Sequence, residues 1–242
     1  MKTFLITGAS GGIGSSIAKT LAKKGNKLIL VYNTNSKAIE QLKKDLSTKC
    51  DVVTHKCDLT NELEIKSMVQ SIIKNHKKID CLINCAGIAH FEQIQDTTSQ
   101  SFNKVIDNNL KSVVLITASV SKYMISEQSG KIINISSMWG VVGSSMESLY
   151  SASKGAINSL TLSLAKELGP SNITVNAICP GLIDTKMNQK LSAETINSII
   201  DETPMQRIGT PKDVANIVEF LSSEKANFIT GQIITIDGGF TL

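Results

Sequence analysis

A phenol and an ammonium stand four residues apart in SLYSASKGA (residues 148–156), as Tyr150 and Lys154. On a helix that spacing is about one turn, so both side chains share a face. An ammonium beside a phenol favours the phenolate and lowers its pKa from about 10 toward neutrality. Such a pair can give a proton to a developing alkoxide and take it back. The same spacing also suits an interfacial Tyr and a solvated Lys on a partly exposed helix. A second signal lies in TGASGGIG (7–14), where Gly8, Gly12 and Gly14 follow a G-x3-G-x-G spacing. Glycines let the backbone turn sharply and approach a pyrophosphate at the positive end of a helix. A tight strand-to-helix turn would use glycines too, but a place after the first strand favours a dinucleotide.

Other positions bear on the same chemistry. An acid at the end of the second strand would hold a ribose 2′-hydroxyl and repel a 2′-phosphate. VYNTNSK places Tyr32 and Asn33 there instead, followed by Thr34, Ser36 and Lys37. Neutral donors with a lysine near favour NADP over NAD, although a plain polar turn reads the same way. Asp58 in CDLT lies where an adenine edge would pass, or caps the helix that follows. His55, His76 and His90 have no ligand spacing, so no metal is expected. Five cysteines without a CxxC pair are expected as buried free thiols.

The elements that must position these groups alternate along the chain. Apolar, β-branched runs at 3–7, 27–32, 51–57, 79–84, 131–136, 173–179 and 232–237 predict seven strands. Amphipathic stretches at 13–25, 36–46, 61–76, 99–126, 148–168, 192–201 and 211–222 predict helices between them. Strands apolar on both faces belong to a parallel sheet covered on both sides. Without repeats, linkers or low-complexity segments, residues 1–242 are expected to form one α/β domain, a doubly wound parallel sheet. The length suits one large domain, and a net charge of +4 with mixed signs gives little reason for nucleic acid. MKTFLITGAS does not resemble a signal peptide and no apolar run could span a bilayer, so a cytoplasmic protein without membrane attachment is expected.

Together, TGASGGIG, NCAG (84–87), Asn109 in NNLKS, Ser137 in INISS, YSASK and PGLIDT (180–185) resemble the short-chain dehydrogenase/reductase family, over the whole chain. The resemblance implies a Rossmann-type sheet of order 3-2-1-4-5-6-7 and an NADP(H)-dependent oxidoreductase. Tyr150 would protonate a carbonyl oxygen as hydride arrives, and Lys154 would lower the Tyr150 pKa and hold the ribose. Ser137 would hydrogen-bond the same oxygen. Asn109, breaking the long helix, would free a carbonyl for the water that returns protons to Lys154. The family's cofactor residues map onto Gly8, Ser10, Gly12, Ile13, Gly14, Asn33, Thr34, Asp58, Leu59, Asn84, Ala86, Gly87, Pro180, Gly181, Ile183 and Thr185. A homotetramer or homodimer is also implied.

Within that family the chain is similar to the reductases of 3-oxoacyl groups on acyl carrier protein. Three departures bear on this. Gly11 stands where NADP-dependent relatives often have Arg, and Cys85 takes the second place of NNAG. Gln128, beside Glu127, and Ser171 stand where carrier-protein reductases commonly have Arg, which weakens steering of an acidic partner. SSMWGVVGSSMESLYS also resembles the reductases of a 5-aminopentanone group on elongation factor P. There Glu147 could bind a substrate ammonium and Trp139 could line the pocket; alternatively Glu147 is a solvated helix-end carboxylate and Trp139 a core residue.

Overall fold

Seven strands join side by side into one all-parallel sheet: β1 (Thr3–Ile6), β2 (Lys27–Tyr32), β3 (Asp51–Lys56), β4 (Cys81–Asn84), β5 (Gly130–Ile135), β6 (Ile173–Pro180) and β7 (Ile233–Ile236). Their order is β3-β2-β1-β4-β5-β6-β7, the expected Rossmann arrangement. The structure is a computed structural model that describes residues 2–188 and 191–242. Its helices are α1 (Gly12–Leu21), α2 (Ser36–Leu46), α3 (Glu62–His76), α4 (Ser99–Ile106), α5 (Ser112–Ser126), α6 (Trp139–Val142), α7 (Ser148–Leu168), α8 (Ala193–Glu202) and α9 (Pro211–Leu221).

Strand periodicity explains the two-sided core. Successive side chains point to opposite faces, so Phe4, Ile6, Leu28 and Leu30 pack with α1, α2 and α9. Their neighbours Leu5, Ile29 and Val31 pack with α3 and α5 on the other face. The edge strands depart from the expected two-sided burial: β3 buries only Val52 fully, and β7 none of its four residues.

Two helices end differently from the prediction. α1 stops at Leu21, and Gly25 instead takes φ +89° in the turn beyond it. The predicted helix over 99–126 is divided by a π-helical turn, Asp107–Lys111, in which Ser112 N–H donates to the Asp107 carbonyl. Such a turn carries one residue more than an α-helical one and often marks a functional site. The sheet order reverses between β1 and β4, which opens a crevice at the carboxyl ends of the strands.

Candidate active site

Backbone meets backbone at the start of the crevice. Gly8 has φ +63°, and a Cβ there would lie 2.8 Å from Ala86 Cα; one on Gly14 would lie 2.3 Å from the Gly8 carbonyl oxygen. Both positions therefore exclude any side chain. Gly11 stands at the N-cap of α1 with no capping side chain, and no acid lies in the first turn, so the positive end of the helix is left for an anion. A cleft of about 630 Å³ opens above this cradle, of a size for a dinucleotide-sized ligand. Of the expected cofactor residues, Gly8, Ser10, Gly12, Ile13, Gly14, Asn33, Thr34, Asp58, Leu59, Ala86, Gly87, Tyr150, Lys154 and Thr185 line it. The cradle and its uncapped helix fit a nicotinamide dinucleotide.

At the far end the cleft is walled by Tyr32, Asn33, Thr34 and Asn35, with no carboxylate from β2. Asn35 caps α2 by accepting from Ala38 N–H at 3.2 Å; Ser36 and Lys37 are not among the lining residues. Asp58 accepts from the Thr60 N–H and hydroxyl at 2.9 and 2.8 Å. It does not cap α3; Asn61 does, through the Leu63 and Glu64 N–H groups.

Asn84, expected at the cleft, is not among the residues that line it. It is buried beneath the cleft, donating to Thr117 Oγ1 at 3.1 Å and Asn134 Oδ1 at 2.9 Å. Asn134 in turn donates to Thr161 Oγ1 at 2.9 Å, so a polar chain runs from α5 over β4 and β5 to α7 on one face of the sheet. NCAG fills the cleft wall with its last three residues only, Cys85, Ala86 and Gly87.

At the near end α7 carries the catalytic candidates. It lies so close to α6 that a Cβ on Gly140 would meet the Lys154 backbone carbon at 2.7 Å. Ser136 Oγ donates to the Lys154 carbonyl at 3.0 Å, fixing that turn. Lys154 Nζ donates to the Ile135 carbonyl at 2.9 Å and stands 5.8 Å from the Tyr150 ring centroid. Asn109 is fully buried in the π turn. Its amide accepts from Ile88 N–H at 2.8 Å and donates to the Ile88 carbonyl and Ser153 Oγ. Asn109 Oδ1 and Lys154 Nζ flank the same side of Gly87, 3.2 and 3.5 Å from where its Cβ would be.

Burial pushes the Tyr150 phenol up to about 12, Ser137 pulling it down less, with Glu147 and Cys179 raising it further. Burial depresses the Lys154 pKa to about 8, and its ammonium donates to the Ile135 carbonyl. A phenol held protonated is the form that can donate a proton.

A second pocket of about 420 Å³ adjoins the cleft, and Ile13, Ser136, Tyr150, Thr185 and Met187 line both. Pro180, Gly181 and Ile183, expected at the nicotinamide, line this second pocket together with Ser137. Trp139 lines it as well and packs edge-on against Phe240, centroids 5.5 Å apart. So does Glu147, which is only 7% exposed and therefore no solvated helix-end carboxylate. Burial raises its carboxyl to about 7, against the Ser144 hydroxyl. Glu92 N–H donates to the Met146 carbonyl at 2.8 Å, laying the 88–92 segment against this loop. Cys57, Thr60, Ile88, Asn108, Ser112, Lys186 and Met187 also line the cleft, unforeseen. Most stand within one to three residues of a recognised motif, which is the signal that could have found them.

Among the described residues no cluster of three His, Cys, Asp or Glu could hold a metal, and no helix is long and apolar enough to cross a membrane. All five cysteines are free thiols, three of them buried.

The whole-chain comparisons agree with this geometry. A family model described as enoyl-(acyl carrier protein) reductase matches residues 8–241. An uncharacterized oxidoreductase, YmfI, of Bacillus subtilis is 40% identical over 99% of this chain and 98% of its own. The 3-oxoacyl-[acyl-carrier-protein] reductases FabG of Rickettsia typhi and Buchnera aphidicola are 39% and 38% identical. They cover 100% and 98% of this chain and 97% and 96% of their own. With that similarity running through the cradle, the π turn and α7 alike, the chain belongs to the short-chain dehydrogenase/reductase family, as an oxidoreductase acting on CH–OH groups with a nicotinamide cofactor.

Proposed function

We propose that the protein reduces a ketone to a secondary alcohol with NADPH, the ketone being a 3-oxoacyl thioester on acyl carrier protein. The observation that carries this is the meeting of the two pockets at Tyr150, with Ser137 beside it. A carbonyl entering from the second pocket would place its oxygen between two hydroxyls. When bound, the nicotinamide supplies hydride to the carbonyl carbon. Tyr150 gives its proton to the oxygen as charge develops there, and Ser137 donates a hydrogen bond to the same atom. Lys154 holds the ribose, and Asn109 orients the π turn so that a water can return a proton to Lys154.

Preference for NADPH is supported by the neutral wall of Tyr32, Asn33 and Thr34, where no β2 carboxylate opposes a 2′-phosphate. The carrier-protein substrate is supported by the similarity to the FabG relatives, which are 3-oxoacyl-[acyl-carrier-protein] reductases. Glu147 favours a second reading, an aminoketone borne on elongation factor P, because a carboxylate buried in an apolar pocket suits a cationic ligand. A homodimer or homotetramer is supported by the exposed apolar side chains Phe102, Val114, Ile125 and Leu162 on α4, α5 and α7.

NADPH and NADH oxidation, measured with acetoacetyl thioesters and with an aminoketone-bearing protein, tests both readings. NADPH is expected to be preferred by about tenfold, a difference of about 1.4 kcal/mol. Tyr32→Asp should shift that preference toward NADH. Equal use of both cofactors refutes the phosphate reading, and turnover of the aminoketone alone refutes the thioester.

A further inference from the structure

Among the described residues, three charged side chains line the cofactor cleft: Asp58, Lys154 and Lys186. Asp58 is engaged by Thr60 and Lys154 by the Ile135 carbonyl. Lys186 is exposed and forms no ion pair with any described carboxylate. The mechanism above gives it no task.

Its place is set by its neighbours. Thr185 packs on the first residue of α1, since a Cβ on Gly12 would meet Thr185 Cγ2 at 2.8 Å. The segment is held there by hydrogen bonds: Asp184 N–H to the Gly209 carbonyl at 2.9 Å, and Asn188 N–H to the Thr185 carbonyl at 3.0 Å. The Asn188 amide also donates to the Ile183 carbonyl at 2.8 Å. Lys186 follows directly, at the seam between the cleft and an opening lined by Gly87, Phe91 and Leu191. The glycine loop itself carries no cation, since Gly11 occupies its centre. A diphosphate on the positive end of α1 therefore meets only partial charges from the loop, and Lys186 is the exposed positive charge that lines the cleft next to Thr185.

We propose that Lys186 binds the diphosphate of the dinucleotide from the Thr185 side of the cradle, supplying the cation that the glycine loop lacks. This rests on reading the cleft as a dinucleotide site. It makes Lys186 a determinant of affinity that does not discriminate NADPH from NADH, because the diphosphate is common to both.

The test is Lys186→Met, which removes the charge and keeps most of the stem. Dissociation constants for NADPH and NADH are read from the cofactor's fluorescence, and adenosine 2′-monophosphate serves as a competing probe without a diphosphate. Both cofactors are expected to bind about tenfold more weakly, by similar factors. Adenosine 2′-monophosphate should bind as before, Lys186→Arg should recover most of the loss, and high salt should shrink it. Unchanged affinity for both cofactors overturns the assignment. A loss confined to NADPH overturns it too, because it would place Lys186 at the 2′-phosphate. So does unchanged binding with a raised KM for the ketone, which would give Lys186 to the adjoining opening. Wild-type protein that binds neither cofactor overturns the dinucleotide reading itself, and this assignment with it.

Discussion

Replacing Glu147 by Gln removes a charge while keeping the shape of the pocket wall, and its effect on stability should grow as pH rises. Burial moves the Glu147 carboxyl from 4.5 to about 7. At 1.36 kcal/mol per unit the step amounts to roughly 3 kcal/mol, which water entering the pocket mouth cuts to about 1–2 kcal/mol. Between those two values the folded protein holds a proton that the unfolded chain has released, so stability falls as pH rises through the window. Glu147→Gln should therefore match the wild type near pH 4 and be more stable by about 1–2 kcal/mol at pH 8. For a chain of this length that is about 2–8 °C in the melting midpoint. A cationic ligand inverts the balance, because it favours the carboxylate. With an aminoketone, wild-type kcat/KM should rise with pH through about 7, and Glu147→Gln should lose about ten- to a hundredfold there. An acetoacetyl thioester should show neither the rise nor the loss. Thermal unfolding at both pH values, with the two substrates assayed on the same preparations, reads all of this. Equal destabilisation at both pH values, or equal kinetic losses on both substrates, refutes the reasoning.

Three other outcomes follow from the site. Tyr150→Phe keeps the packing and removes the proton donor, so turnover should drop by about a hundredfold or more while the NADPH dissociation constant stays within about threefold; steady-state rates and fluorescence titration check this. Lys154, depressed to about 8 by burial, loses its positive charge as pH rises through that value, so NADPH affinity measured from pH 6.5 to 9.5 should weaken above about 8. Gly140→Ala forces a Cβ against the α7 backbone at 2.7 Å and should cost about 1–3 kcal/mol in denaturant unfolding, with a loss of turnover because Lys154 moves with that backbone.

The sequence made some parts of this molecule legible and hid others for physical reasons. β2 and α2 fall on their predicted residues, because a β-branched run and an amphipathic stretch are each local patterns. The cradle was readable since Gly8 and Gly14 meet nearby backbone in a way only glycine allows. Asn84 was not placed beneath the cleft by its motif. A motif gives the segment, whereas the strand's alternation sends that side chain under the sheet toward Asn134. The burial that raises the Tyr150 phenol comes from packing all around it, which one neighbour at four residues' spacing does not report. Whether Glu147 met solvent depended on the 88–92 segment covering its loop, a contact across more than fifty residues of sequence.

The π turn at Asp107–Lys111 sets a phase along the helical stretch that contains it. Each residue of an α-helix advances the face by about 100°, so one additional residue wheels everything beyond it by that angle. Val105 before the turn and Ile116, Val120 and Met124 after it are all buried, while Asn109 between them reaches toward Ile88 and Ser153. Shortening the turn by one residue would leave a regular helix of similar composition and propensity. It could keep its apolar stripe against the sheet or keep Asn109 beside Lys154, but not both. The count of residues in that turn is thus a specification in its own right, separate from their identity.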